Sequence, residues 1–333
     1  MIVSHHDPRL SWHGHISLEC TDDYTRPWRI PFARRALFAT ELAARAATPA
    51  GVRLAFRSTT GRVAGRIVPV EDNQLLDLCV DGQWLGSVDL AGKETFVFEN
   101  LSEAEKVVEL WLPQRGDFAL RELEIDDHAS LQPASDDRPR WMTYGSSITH
   151  CGSAASPTRT WPAIVARERG LNLTCLGYGG QCHLDVQVAR FMRDRPAEFI
   201  SICAGINIYG GGTLNARTFE PALIGFVEIL REKHPETPIL LISPIVSPPR
   251  ESKPNAVGWT LAEYRAAVAS AAKTLQESGD AHLQYLDGLA LFDKDLAHLM
   301  PDQLHPDAEG TEALAANFLL HAAPRLFDAP NPS

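Results

Sequence analysis

The chain has 333 residues, 44% of them hydrophobic, which suits one large or two ordinary soluble domains with a sizeable core. Its formal net charge of −11 argues against nucleic acid or an anionic membrane surface as a partner, because both carry negative charge. No stretch approaches the roughly 20 apolar residues of a membrane span, and Met1 to Pro8 lacks the basic-then-apolar pattern of a secretory signal, so a cytoplasmic protein is expected.

From about residue 15 to 127 the apolar residues alternate in short runs. His15–Cys20 and Val52–Arg57 read as strands. Leu75–Val80 leads into Asp81-Gly82, a hairpin signal, and Gln83–Val88 returns. Thr95–Glu99, Lys106–Leu112 and Phe118–Ile125 follow with turn residues between them. Strands at this spacing predict an all-β sandwich of jelly-roll type over residues 1–130. Ala33–Ala47, rich in Ala and Arg, competes as a helix. Within the polar, proline-containing run 128–139, residues 131–139 read as a linker.

From 140 to 333 the period changes to strand–helix alternation. Strands are predicted at Arg140–Thr143, Leu171–Leu176, Phe199–Ala204, Pro238–Ser243 and Leu283–Asp287. Helices fall between them, at Pro162–Arg169, Leu184–Asp194, the face carrying Phe219, Leu223, Phe226, Val227 and Leu230, and the face marked by Leu261, Tyr264, Val268 and Leu275. A last helix is expected at Ala308–His321. Five such strands imply an α/β fold, a flavodoxin-like parallel sheet with helices on both faces.

Polar residues collect at the carboxyl ends of those strands. Ser147 follows the first, Gly180 the second and Asn207 the third, while Asp302 and His305 precede the last helix. If the strand order is 2-1-3-4-5, Ser147 and Asn207 flank the crevice where such sheets bind ligands. A spacing of three lets Asp302 hold one nitrogen of His305, leaving the other to take a proton from a serine, which is a poor nucleophile without that base. The N–H groups of Ser147 and Gly180 and the side-chain amide of Asn207 are candidate oxyanion donors. Singly, each residue reads as readily as a cap or turn; four in order favour a site.

On these residues the chain resembles the SGNH (GDSL-type) hydrolase family. The nucleophile stretch falls on Gly145-Ser146-Ser147, the oxyanion glycine on Gly180, the oxyanion asparagine on Asn207 and the Asp-x-x-His pair on Asp302 and His305. The upstream half resembles the sandwich that precedes the catalytic domain in some members, among them carbohydrate acetyl esterases and a polyketide-assembly acyltransferase. Two departures stand out: Ser146 replaces the motif's Asp, and Ile208 replaces the Asp that often follows the Asn. Neither is the triad carboxylate.

The resemblance implies a serine esterase that hydrolyses short-chain acyl esters, acetyl above all, of small molecules or carbohydrates, through an acyl-enzyme on Ser147. The alternative is an acyltransferase using the same acyl-enzyme and an alcohol acceptor. A third reading, a non-catalytic carbohydrate-binding protein, predicts glycan binding without an activated serine. His150, Trp161 and His183 are candidate substrate contacts, each with a structural alternative. The chemistry needs no cofactor. His5, His6, His13 and His15 lack the Cys or carboxylate that would complete a ligand set, so no metal is expected. The six scattered cysteines form no C-x-x-C pair and read as free thiols. Gly210-Gly211-Gly212 reads as a flexible rim beside Asn207.

Overall fold

The computed structural model describes residues 1–72 and 75–328. The chain forms two compact units. The first comprises Met1–Arg138 with Ala155–Ala163 and Asn172–Cys175; the second comprises Pro139–Ala154, Ile164–Leu171 and the chain from Leu176 onward.

In the first unit alternation makes a sandwich. One sheet runs in the order 17–20, 25–28, 120–125, 63–67, 95–98, with 2–4 added to 120–125. The other runs 131–133, 53–58, 106–111, 75–80, 83–89, with 11–13 added to 53–58. Thr95–Phe98 shows the principle: Phe96 and Phe98 are buried and Thr95 and Val97 exposed, since successive side chains leave a strand on opposite faces. Leu54, Phe56, Leu78, Val108 and Leu110 of one sheet and Val63, Ile67, Phe96, Leu120 and Leu123 of the other share a single apolar core. Asp81 and Gly82 both take the left-handed conformation that a tight hairpin between twisted strands requires.

Two expectations change here. Leu131–Pro133, read as linker, is a strand paired with Arg53–Ser58. The predicted helix Ala33–Ala47 divides into a 3-10 turn, Phe32–Leu37, and an α-helix, Thr40–Ala47. Only the second part buries side chains, Leu42, Ala46 and Ala47, and only there does packing support a regular helix.

Apart from residues 172–175, which fall in the first unit, the second unit carries the five-stranded sheet. Its strands are β1 (Arg140–Gly145), β2 (Asn172–Gly177), β3 (Phe199–Cys203), β4 (Ile239–Ile242) and β5 (Leu283–Leu286). Their order is β2-β1-β3-β4-β5, as expected, and β1–β3, β3–β4 and β4–β5 pair in parallel. All four residues of β4 are buried, which is why it reads as an unbroken apolar run. The helices are α1 (Ser147–His150), α2 (Trp161–Glu168), α3 (Val186–Arg193), α4 (Ile206–Gly211), α5 (Phe219–Arg231), α6 (Leu261–Glu277) and α7 (Ala308–Asn317).

The five apolar residues predicted for one face of α5 are all buried. A capping box of Thr260 and Glu263 starts α6. The predicted final helix continues past α7 as a π turn, Phe318–Ala322, and a short helix, Ala323–Leu326. Pro324 has no N–H to give the carbonyl four residues back, and the wider turn absorbs that gap.

Candidate active site

Ser147 owes its position to a sharp turn after β1. Ser146 is extended, and its hydroxyl accepts from Ile148 N–H at 3.2 Å, capping α1, of which Ser147 is the first residue. A serine therefore does the capping at the position where the family motif has Asp. The turn is tight enough to demand glycine beside it. A Cβ on Gly145 would overlap Thr149, and one on Gly177 would overlap the His150 backbone.

The Asp302–His305 turn folds around one carboxylate. Asp302 Oδ1 accepts from the N–H groups of Leu304 (3.0 Å) and His305 (2.7 Å), and Oδ2 lies 2.5 Å from His305 Nδ1. Burial pushes the Asp302 carboxyl up, but the His305 N–H and ring and the Leu304 N–H outweigh it and hold the group below its ordinary value. The carboxylate fixes the ring so that Nδ1 carries the proton and Nε2 is the acceptor. Nε2 lies 2.8 Å from Ser147 Oγ. The structure thus joins Ser147, His305 and Asp302, drawn from chain positions 158 residues apart, into one hydrogen-bonded series.

Asn207 is the second residue of α4, which begins after Gly205 at φ +135°. Its Oδ1 accepts from Cys182 N–H at 3.0 Å, which leaves the NH2 end as the donor on offer. Gly180 stands in the loop after β2 at φ +73°. Gly210 and Gly211, expected in a flexible rim, belong to α4, and Gly212 ends it in the left-handed conformation. Ile208, at the second departure from the motif, is fully buried, so an apolar side chain suits it.

The three candidate substrate contacts separate. His183 is bonded on both ring nitrogens, to Gly180 O (3.0 Å) and Thr213 Oγ1 (2.9 Å). His150 is buried and donates from Nδ1 to Gly177 O at 3.1 Å, tying α1 to the end of β2. Trp161 is buried at the start of α2.

Other residues carry the site without a sequence signal. The Tyr144 hydroxyl, fully buried, accepts from Leu184 N–H at 3.1 Å and steadies the loop bearing Gly180. Burial pushes the Tyr144 hydroxyl and the Cys182 thiol well up, and the Cys203 thiol up to about 12. Cys151, Leu184 and Gln303 are the left-handed non-glycine residues of the second unit among those described; Cys151 ends the helix that Ser147 begins, and Leu184 and Gln303 lie in the loops carrying Gly180 and His305. Among the described residues no cluster of three or more His, Cys, Asp or Glu side chains could hold a metal ion, and no helix is long and apolar enough to cross a membrane. All six cysteines are free.

Residues 139–319 match the model of the GDSL-like lipase/acylhydrolase family, and residues 10–121 match that of the SsfX3 N-terminal domain. Among solved structures, the salicylyl-acyltransferase SsfX3 from a tetracycline biosynthetic pathway is 35% identical, with 97% of this chain and 96% of that one covered and a TM-score of 0.90. A putative GDSL-like lipase from Bacteroides ovatus is 20% identical over 100% and 99% of the two chains, TM-score 0.81. A family two carbohydrate esterase from Clostridium thermocellum shares the fold at 12% identity, over 94% and 97%, TM-score 0.69. No curated protein matches the chain. The two matched segments, the strand order and the motif residues agree: the chain belongs to the GDSL-like lipase/acylhydrolase family.

Proposed function

We propose that the protein is a serine esterase acting through an acyl-enzyme on Ser147. The carrying observation is the unbroken series Ser147 Oγ–His305 Nε2 (2.8 Å) and His305 Nδ1–Asp302 Oδ2 (2.5 Å). In this reading Ser147 Oγ attacks the ester carbonyl as its proton passes to Nε2. Asp302 orients the ring and stabilises the imidazolium. The N–H groups of Ser147 and Gly180 and the Asn207 NH2 receive the oxyanion. The C–O bond to the alcohol breaks, and His305 returns the proton to the leaving oxygen. Water, deprotonated by the same imidazole, then releases the acid. A short acyl group, acetyl first, and a carbohydrate alcohol are the substrate class supported by the fold shared with carbohydrate esterases.

A specific observation favours a second reading, transfer of the acyl group to an alcohol acceptor: the 35% identity to a salicylyl-acyltransferase along nearly the whole chain. The two differ only in what attacks the acyl-enzyme. The test is labelling by a fluorophosphonate together with turnover of an aryl acetate. Both are expected in the protein and lost in Ser147→Ala; turnover that survives the substitution ends both readings. The partition of acyl groups between water and added alcohols then separates them.

A further inference from the structure

We infer that Ser247 is a positioning residue for the general base, acting through a strained peptide at Gln303. The inference rests on the reading of His305 as that base.

Gln303 lies inside the Asp302–His305 turn and has φ +58°. An L-residue with a side chain disfavours that left-handed conformation, and Gln lacks the short polar side chain that lets Asn or Asp occupy it more readily. Something must hold it. Gln303 N–H donates to Met300 O at 2.9 Å, and the Gln303 carbonyl accepts from Ser247 Oγ at 2.7 Å and more weakly from Arg250 Nη1 at 3.4 Å. The conformation matters because it turns the next two N–H groups, of Leu304 and His305, back onto Asp302 Oδ1 and so brings the ring within reach of Oδ2. In the common right-handed conformation the carbonyl and those N–H groups would swing apart.

Ser247 is itself held. It is 1% exposed and stands in the loop after β4. Its N–H donates to Glu251 Oε1 at 3.0 Å, and Glu251 receives two bonds of 2.9 Å from Arg265 of α6. Arg265 also donates from Nε to Pro244 O at 3.0 Å. A 17-residue helix thus fixes Glu251, Glu251 fixes Ser247, and the Ser247 hydroxyl fixes the one peptide whose conformation sets the aspartate–histidine turn. Arg250 Nη1 reaches the same hydroxyl at 2.8 Å, which orients it with its proton toward Gln303. Ser247 touches no reacting atom in this scheme.

The test uses the full chain, with steady-state turnover of an aryl acetate and thermal unfolding measured side by side. Ser247→Ala is expected to lower kcat about 10- to 100-fold with KM within twofold, since a misplaced base slows chemistry without weakening ground-state binding. Ser247→Thr, which keeps the hydroxyl, should retain at least half of kcat. Gln303→Gly in the Ser247→Ala background should recover part of the loss, because glycine enters the left-handed conformation freely. Ser247→Cys, close in volume, carries the same expectation if the alanine variant does not fold. A kcat for Ser247→Ala or Ser247→Cys within twofold of the parent, or a Thr variant as slow as Ala, overturns the inference while leaving the serine mechanism intact. A parent chain without turnover or fluorophosphonate labelling removes the mechanism and the inference with it.

Discussion

Cys182 N–H donates to Asn207 Oδ1 at 3.0 Å, and this one bond decides which end of the Asn207 amide is left to act. An asparagine free to flip would present oxygen or nitrogen alike. Here the oxygen is engaged and the NH2 is the end on offer. Asn207→Asp should keep the bond to Cys182 while exchanging the donor for a second acceptor. We expect kcat on an aryl ester to fall by about 10³ or more, above the roughly 10²–10³ typical of losing one oxyanion donor, with KM little changed. A rise in KM with kcat unchanged would place Asn207 in substrate binding instead.

Asp302 makes two kinds of contact, and Asn separates them. Asp302→Asn can keep Oδ1 on the Leu304 and His305 N–H groups, but it turns an NH2 toward His305 Nδ1. The ring then protonates on Nε2 and can no longer accept from Ser147. A loss of kcat on the order of 10³–10⁴ is expected, with the fold retained. The pH dependence of stability follows from the depressed carboxyl. Its folded value lies below the ordinary 3.8, so its contribution is complete above that pH and is lost as the pH falls through the lower folded value. Thermal midpoints of parent and Asp302→Asn, compared from about pH 5 downward, should converge as the pH falls below about 4. Convergence at a higher pH would contradict the shift.

The thiols near the site are expected to be inert. Cys182 and Cys203 are pushed up by burial, Cys203 to about 12, and the reactive form of a thiol is the thiolate. Cys79, Cys151 and Cys175 are buried as Cys182 is, Cys203 is half-buried, and Cys20 alone is exposed. A disulfide reagent at pH 8 should therefore titrate one thiol rapidly in the native protein and six after denaturation. Rapid modification of Cys182 with loss of turnover would reveal an opening of the loop between Gly180 and Leu184.

What could be read ahead of the structure was whatever repeats or has a fixed spacing. Buried strands such as Ile239–Ile242 and the apolar face of Phe219–Arg231 declare themselves by period. Asp302 and His305 declare themselves by a spacing of three. Supports that act through backbone geometry leave no such mark. Nothing in Gln303 announces a left-handed peptide, and Ser247, 56 residues away, is one serine among many. Leu131–Pro133 escaped for a related reason: three residues with a proline look like linker, and only the neighbouring strand Arg53–Ser58 makes them a strand.

The last expectation concerns Asp77, a fully buried carboxylate in the first unit. Its Oδ2 accepts from Ser156 Oγ (2.6 Å), Thr158 N (2.9 Å) and Thr158 Oγ1 (2.6 Å), and its Oδ1 from Ser87 Oγ (2.5 Å). Hydroxyls can turn to other partners; the Thr158 N–H cannot. Asn in place of Asp77 can keep an oxygen toward Thr158 and offer its NH2 to the Ser87 oxygen, so every group stays paired. Ala leaves a buried N–H and a void. We expect Asp77→Asn to lose about 1 kcal/mol of stability and Asp77→Ala about 3 kcal/mol. Denaturant titration measures both. If the asparagine variant proves as unstable as the alanine one, the negative charge itself, and not its capacity to accept hydrogen bonds, is what this unit requires at position 77.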